Sequence, residues 1–183
     1  MNNLGLEWRN IKLVHYGKEY FEFLYEAYQE YDSIYLFCNM LEIKSKNEFW
    51  NIIANKMESS YDEYVIILDK QNNIPIGFIY SYNYNINNQT LYTAIYIKEK
   101  FRKSTIGASA GIIFYNYIFK IKPLRKIYCT VYEYNKQSLK LLETAGFEQE
   151  GILKKHRYID GKYYDMFIMA LSREKFYKKI GEL

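Results

Sequence analysis

The sequence predicts a mixed α/β fold, in which about four helices flank a mostly antiparallel central sheet of about six to seven strands. Two observations support this fold class. Apolar residues recur at helical spacing in some segments and alternate at period two in others. These segments follow the order helices, meander, helix, strand, helix, hairpin, and short turns join most of the strands, which favours a sheet of mixed direction.

Two amphipathic helices are predicted in the N-terminal part of the chain. Residues 18–30 carry an apolar stripe at helical spacing, and residues 46–58 repeat this pattern. Ser45 stands directly before the second helix, where a serine side chain can accept a hydrogen bond from a free backbone N–H group. We therefore expect Ser45 to be the N-cap of that helix.

Three strands follow the helices. Residues 64–69, 74–85 and 90–98 are apolar or alternate between apolar and polar side chains, and the short polar runs KQNN and INNQ separate them. Because connections this short join antiparallel neighbours, the three segments predict an antiparallel meander.

The C-terminal half contains a helix, a strand, a second helix and a hairpin. Asn135 is expected to cap the second helix and Gly146 to end it. Asp160-Gly161 is the strongest short turn signal in the chain. In chain order, the predicted elements cover residues 106–121, 125–133, 135–147, 151–159 and 162–171.

The 183 residues are expected to form a single domain, because no repeat, low-complexity run or Pro/Gly-rich linker divides them. Within that domain we distinguish three parts. Residues 1–63 contain the N-terminal helices, residues 64–124 contain the three strands, the following loop and a helix, and residues 125–183 contain the closing strand, helix and hairpin.

Charge is distributed unevenly along the chain. Residues 1–69 carry 6 Lys and Arg against 12 Asp and Glu, a net −6, whereas residues 70–183 carry 19 against 9, a net +10. One interpretation is that the basic part binds an anionic ligand while the acidic part attracts a cationic one. The alternative is that the charges serve only to keep the surface soluble.

Several classes of protein and site are disfavoured. The two cysteines and two histidines do not form a cluster with metal-ligand spacing, so no metal is expected. Cys129 lies in an apolar strand pattern, which indicates a buried, inert thiol. The N-terminus does not resemble a signal peptide, and no apolar run approaches the roughly 20 residues of a membrane span. The expected location is the cytoplasm, without a membrane partner.

The loop before the third helix is basic and rich in small residues. A helix N-terminus presents N–H groups without intrahelical partners and a partial positive charge, which together can bind a phosphate group. The pattern is neither a P-loop nor a Rossmann fingerprint. The alternative is a solvated basic turn capped by Ser104 or Thr105. The candidate anion-binding residues are Arg102, Lys103, Ser104, Thr105, Ile106 and Gly107.

Three segments resemble the GNAT superfamily of acyl-CoA-dependent N-acetyltransferases, most closely the branch typified by enzymes that acetylate ribosomal-protein N-termini. Residues 95–107 resemble its strand 4 and pyrophosphate signature, with Thr105 in place of the middle glycine. Residues 135–151 resemble the Asn-x-x-Ser…Gly-Phe-x-x-Glu-Gly run, and residues 160–171 resemble the closing hairpin with its Asp165. Thr105 could alter the loop, since threonine tolerates positive φ poorly.

The resemblance implies acetyl-CoA as the cofactor. In the family, the amides of the loop hold the pyrophosphate, while the strand residues that correspond to Ile95 and Ile97 pair with pantetheine. Asn135 would also bond pantetheine, and Ser138 would lie near the thioester. The backbone N–H of Ile97 would stabilise the oxyanion.

The candidate catalytic residues are Ser138, which could contact the leaving sulfur, and Glu133, which could act as the base. Many relatives have a tyrosine acid four residues after the serine, but this chain has Leu142 there. A water relay without a dedicated base is also compatible with the sequence. Other base candidates are Tyr92, Tyr134 and Asp165, of which Asp165 could instead pin the hairpin.

The predicted function is acetyl transfer from acetyl-CoA to a primary amine by direct attack in a ternary complex. The acceptor is expected to be cationic, such as a protein N-terminus, a polyamine or an amino sugar, and to bind between the N-terminal helices and the last hairpin. A homodimer is a further expectation. The alternatives are a non-catalytic CoA-binding regulator and an RNA- or ribosome-binding module, although no nucleic-acid motif is present.

Overall fold

The computed structural model describes residues 6–30, 45–57, 61–102 and 105–181. One sheet runs through these residues, and its strands are β1 Glu7–Trp8, β2 Ile11–His15, β3 Tyr64–Asp69, β4 Ile74–Asn85, β5 Thr90–Ile97, β6 Lys126–Tyr132, β7 Glu148–Ile159 and β8 Lys162–Ser172. The spatial order is β1-β2-β3-β4-β5-β6-β8-β7. Neighbouring strands are antiparallel except for β5 and β6, which are parallel.

Helices cover both faces of the sheet. In the described residues they are α1 Phe21–Gln29, α2 Lys46–Met57, α3 Ile106–Ile121, α4 Lys136–Ala145 and α5 Arg173–Ile180. Short 3-10 turns at Lys18–Tyr20 and Glu99–Phe101 precede α1 and the basic loop, respectively. None of the helices in the described part of the chain is long and apolar enough to cross a bilayer.

The predicted caps and fold class are confirmed. The Ser45 side chain accepts a hydrogen bond from Glu48 N–H at 3.1 Å, and Asn135 Oδ1 accepts one from Ser138 N–H at the same distance. Gly146 ends α4 with a φ of 96°, in the left-handed region that favours glycine. The sheet has more strands than expected because the short strands β1 and β2 extend its edge.

Alternating side chains give the sheet two separate apolar faces. One face packs against α3 and α5, while the other packs against α1 and α2. On β5 the odd-numbered side chains, such as Ile95 and Ile97, belong to the α3 face, and the even-numbered ones, such as Tyr96, belong to the α1–α2 face. The two helical layers therefore meet the same strands from opposite sides.

Helix α3 is buried on two sides. One side packs on the sheet, and another side packs on α5 through Phe176. Tyr115 and Phe119 contact Phe176 with ring centroids 6.3 and 5.4 Å apart. Because the sequence did not reveal α5, Tyr115 was not expected to be a buried residue.

Strands β4 and β5 approach each other closely at Gly77. A Cβ atom added there would overlap the carbonyl oxygen of Tyr96 and lie 3.0 Å from the Ile67 side chain. Glycine is therefore required by the close approach of the backbones at this point.

Candidate active site

The parallel pair β5–β6 is short. Its register contains three residue pairs, from Thr90 with Lys126 to Tyr92 with Tyr128. Among the described residues of the two strands, pairing stops there, although β5 continues to Ile97 and β6 continues along β8. The two strands therefore border a slot that is closed at Tyr92 and Tyr128.

The backbone of Ile95 and Ile97 faces this slot. Lys98 N–H donates to the Ile76 carbonyl of β4 at 2.9 Å, and antiparallel partners bond at every second residue. In β5, the even-numbered residues therefore form the backbone hydrogen bonds to β4. The odd-numbered residues, which include Ile95 and Ile97, direct their backbone N–H and C=O groups away from β4 and toward the slot. Arg102 Nε donates to the Ile97 carbonyl at 2.9 Å, which agrees with this direction.

The described part of the basic loop leads into the first turn of α3. Thr105 has a φ of −77° and makes no side-chain hydrogen bond to the start of the helix, so the alternative of a turn capped by Thr105 is not observed. Positive φ is not required there either. Ile106 and Gly107 begin α3, and its first turn contains no acidic residue. Lys103 and Ser104 lie outside the described residues.

Arg102 links the loop to the end of α1. Its Nη2 lies 3.5 Å from Glu30 Oε2, and the same carboxylate oxygen accepts a hydrogen bond from the Tyr96 hydroxyl at 2.5 Å. Gln137 Nε2 donates to the Arg102 carbonyl at 2.9 Å. Burial and the Glu30 carboxylate raise the pKa of Tyr96 far above its usual range, so the phenol keeps its proton.

Asn135 and Ser138 lie in the first turn of α4, directly after the turn that ends β6. Both are half-buried, and the capping bond of Asn135 fixes its side chain against the Ser138 amide. This bears out the helix-capping part of the Asn135 prediction. The contacts of both residues with the cofactor stay predictions.

Glu133 and Asp165 join the end of β6 to the hairpin. Glu133 Oε1 accepts from Asp165 N–H at 2.9 Å, and Glu133 N–H donates to the Asp165 carbonyl at 3.0 Å. The Asp165 carboxylate accepts from Lys154 Nζ at 2.7 Å and from Lys155 N–H at 2.8 Å, across an irregularity in β7. Asp165 therefore pins the hairpin. Glu133 makes a structural hydrogen bond that does not depend on any role in proton transfer.

We expect Asp165→Asn to make the hairpin less sensitive to acid. The ammonium of Lys154 and then the Lys155 amide lower the pKa of Asp165 from its ordinary value of 3.8. A carboxyl group with a lowered folded pKa stabilises the fold above its unfolded pKa, and this stabilisation is lost as the pH falls through the folded pKa. The melting temperature of the variant should therefore fall less on acidification below pH 3.8 than that of the wild type.

The exposed carboxylate Glu99, outside the hairpin, supplies the matched control Glu99→Gln. An equal acid response of Asp165→Asn and the wild type would contradict the assigned role of Asp165.

A family comparison identifies the family of the chain. The chain matches the family model described as "Acetyltransferase (GNAT) domain" over residues 17–168, most of its length. The chain belongs to the GNAT acetyltransferase family. It is an acetyl-CoA-dependent N-acetyltransferase, and the predicted fold and cofactor agree with the family.

Other GNAT proteins resemble the chain in sequence and fold. The SPbeta prophage-derived uncharacterized N-acetyltransferase YokL of Bacillus subtilis (strain 168) is 26% identical over 133 residues, covering 73% of this chain and 74% of YokL. The crystal structure of spermidine N-acetyltransferase from Vibrio cholerae in complex with CoA and spermine has a TM-score of 0.85 at 20% identity, covering 92% of this chain and 98% of that one. A dodecameric structure of the same Vibrio cholerae enzyme has a TM-score of 0.81 at 19% identity, covering 93% and 98%.

Sequence reasoning did not single out the row of tyrosines that crosses the α1–α2 face of this GNAT sheet. The rings of Tyr80 and Tyr82 are 5.6 Å apart, those of Tyr82 and Tyr92 5.5 Å, and those of Tyr92 and Tyr128 5.2 Å. The row runs from the buried Tyr80 to half-buried rings at the closed end of the slot. The period-two spacing of Tyr80 and Tyr82 on β4 was visible in the sequence. The pairing of β5 with β6, which places Tyr92 beside Tyr128, was not.

Proposed function

We propose that this N-acetyltransferase binds acetyl-CoA in the slot between β5 and β6 and acetylates a cationic primary amine, with polyamines as the first class to test. The observation that carries the proposal is the alignment of two features. The slot-facing backbone groups of Ile95 and Ile97 lead directly to the N-terminus of α3, where the Thr105 side chain does not cap the helix.

The described residues fit the cofactor. The N–H groups of Ile106 and Gly107 suit a pyrophosphate, and Ile95 and Ile97 suit the amides of pantetheine. The side-chain amide of Asn135 can form a further hydrogen bond with pantetheine. When bound, acetyl-CoA supplies an activated thioester. Contacts from Arg102, Lys103 and Ser104 to the phosphates remain part of the proposal.

The chain's own residues then support direct attack in a ternary complex. Ile97 N–H is the proposed donor to the carbonyl oxygen as it gains negative charge. Ser138 is the proposed hydrogen-bond donor to the departing sulfur, because Leu142 cannot supply a proton. Glu133 already accepts the Asp165 amide through Oε1, so a water relay that ends on Oε2 is the form of base catalysis that fits it best.

Acidic and aromatic groups favour a cationic acceptor. The Glu30 carboxylate lies at the end of α1 against Tyr96, on the same face as the tyrosine row. An ammonium group is attracted by a carboxylate and by the faces of tyrosine rings. The structural relative from Vibrio cholerae was solved with CoA and spermine, which supports testing a polyamine first.

Three finer assignments remain proposals. The motif at residues 135–151 supports the branch that acetylates ribosomal-protein N-termini, which makes a peptide N-terminus the second acceptor class. Self-association is supported by the exposed edge strand β7 and by the dodecameric assembly of the Vibrio cholerae relative, and a homodimer is its simplest form. The cytoplasm is the expected location because acetyl-CoA is an intracellular metabolite.

Calorimetry followed by an amine screen tests the proposal. Acetyl-CoA should bind without an acceptor at micromolar concentration, and release of CoA thiol should then be measured with spermidine, a basic peptide N-terminus, an amino sugar and a neutral amine at equal concentration. Faster turnover of cationic acceptors supports the proposal. Preference for the neutral amine would overturn the acceptor class, and no binding at millimolar acetyl-CoA would overturn the cofactor site.

We expect Glu30→Gln to raise the KM for spermidine about fivefold, which corresponds to the loss of roughly 1 kcal/mol of ion-pair energy. The affinity for acetyl-CoA should not fall, because Arg102 loses its carboxylate partner and stays beside the loop. Steady-state kinetics with both substrates measures these effects.

Glu26→Gln is the matched control, since Glu26 is exposed one turn earlier on the same helix. An unchanged KM in Glu30→Gln, or the same rise in Glu26→Gln, would remove Glu30 from the acceptor site.

A further inference from the structure

The tip of the hairpin formed by β7 and β8, residues 154–164, extends past the end of β6. The register of β6 with β8 ends at Tyr132 with Met166, whereas β7 and β8 continue to pair as far as the turn between them. There Tyr158 lies directly opposite Tyr163, with ring centroids 5.0 Å apart. Each of these two residues is 62% exposed. The hairpin tip therefore presents two adjacent aromatic rings to solvent.

The hairpin tip is also basic. It contains four cationic side chains against one acidic residue, Asp160. The cationic residues are Lys154, Lys155, Arg157 and Lys162. Arg157 is half-buried, with its guanidinium carbon 4.7 Å from the centre of the Tyr132 ring, whereas the three lysines are exposed. Lys154 stays 71% exposed although it pairs with Asp165. The two exposed rings therefore lie among exposed lysines.

We infer that the hairpin tip binds single-stranded RNA, with a base stacked on the rings of Tyr158 and Tyr163 and with phosphates bound by Lys155 and Lys162. This surface is additional to the catalytic site and leaves the N-acetyltransferase assignment unchanged. It does not depend on the proposed cofactor or acceptor, because RNA binding can be measured without turnover.

The rings distinguish RNA from an acidic protein as the partner. Every base has a π-face that stacks on an aromatic side chain, and lysines bind the phosphates between the bases. The carboxylates of an acidic protein would use the lysines but not the rings. Loops and ends of RNA expose unstacked bases, whereas a duplex keeps its bases stacked on one another. The combination of exposed rings and cations therefore favours single-stranded RNA.

The rings and lysines are close enough to contact one short RNA segment. Lys162 directly precedes Tyr163, and Lys155 stands three residues before Tyr158, so about 10 Å of chain at most separates each lysine from a ring. Strand β7 is the outermost strand at its end of the described sheet, which leaves its outer edge open to a ligand. The bond from the Lys155 amide to Asp165 holds the backbone at the base of the tip.

The first test removes the rings. Binding of a fluorescent single-stranded RNA of about 20 nucleotides is measured by anisotropy at saturating acetyl-CoA, which occupies the cofactor site. The wild type should bind in the micromolar range at about 50 mM salt. Tyr158→Val/Tyr163→Val should weaken RNA binding at least about tenfold, because the stacking platform is lost. Valine suits a cross-strand pair, so the melting temperature and the affinity for acetyl-CoA should be kept.

The second test removes the charges. Lys155→Gln/Lys162→Gln should reduce the slope of log affinity against log salt concentration by about 1.4, since each phosphate contact of a single strand contributes about 0.7. The matched control Lys120→Gln/Lys178→Gln removes the same charge from exposed positions on α3 and α5. It should keep the wild-type slope.

Several outcomes would overturn the inference. They are the absence of RNA binding by the wild type, unchanged affinity in the tyrosine variant, and an equal loss of slope in both lysine variants. Equal binding of an RNA duplex would exclude stacking, and displacement of RNA by acetyl-CoA would place the RNA at the basic loop instead. If the tyrosine variant altered only the sedimentation of the protein alone, the tip would be a contact between copies of the chain. Calorimetry with acetyl-CoA reports separately on the proposed function.

Discussion

Replacing Thr105 with aspartate is expected to weaken acetyl-CoA binding more than a hundredfold while leaving the fold as stable as before. Thr105 is exposed, stands directly before α3 and does not cap it. Aspartate is a favourable residue at this position of a helix, so the helix should not lose stability. Its charge, however, would lie beside the pyrophosphate, where two like charges about 5 Å apart repel each other by about 3 kcal/mol at an effective dielectric constant of 20. Calorimetric titration with acetyl-CoA measures the loss.

Thr105→Asn is the control for this prediction, because asparagine has nearly the same size and capping ability without the charge. We expect its affinity for acetyl-CoA to remain within a few-fold of the wild type and its melting temperature to match that of the aspartate variant. If the Asp and Asn variants bound acetyl-CoA equally well, the pyrophosphate could not lie at the N-terminus of α3.

Gly77→Ala is expected to destabilise the protein by about 3 kcal/mol and to reduce acetyl-CoA binding as well. The added methyl group would overlap the carbonyl oxygen of Tyr96 and press on the side chains of Ile97 and Ile67. Backbone atoms cannot move aside as a flexible side chain can, so β5 must shift along the stretch that borders the slot. For a chain of this size the melting temperature should fall by about 6–12 °C.

Gly107→Ala is the matched control for this prediction, because it adds the same methyl group at a position that has room for it. Its added Cβ would lie 3.7 Å from both Ile97 and Leu141, which is an ordinary contact distance. Thermal unfolding should leave Gly107→Ala within about 0.5 kcal/mol of the wild type. Equal stability of the two alanine variants would contradict the close approach of β4 and β5 at Gly77.

The sequence was most informative where local chemistry alone determines the element. The limits of β3, β4 and α3 agree with the predicted segments 64–69, 74–85 and 106–121, because period-two or helical patterns there end at clear turn residues. Strand β7 begins earlier than predicted, at Glu148, since its first residues are polar and only the pairing with β8 makes them extended. Short edge strands and amphipathic helices with one buried residue have weaker patterns, as β1 and α5 illustrate.

The site was predictable in outline but not in its contacts. Asn135 and the start of α3 could be assigned from motifs, since each is a local feature of a helix end. The contacts of Arg102 with Glu30, and of Thr93 with Cys129, join distant parts of the chain. These pairs depend on strand register and helix placement, which a single sequence does not specify. The start of α3 at Ile106 was therefore predicted correctly, whereas the carboxylate beside Arg102 was missed.

The shortness of the β5–β6 pairing also has a mechanical consequence. Its three residue pairs are the backbone seam between two otherwise antiparallel parts of the sheet, β1 to β5 and β6 to β8. Pantetheine paired with Ile95 and Ile97 would lengthen this seam, so that the ligand serves as a piece of the missing strand. Cofactor binding would then join the two parts into one cooperative unit, and amide hydrogen exchange would slow on both sides of the seam together.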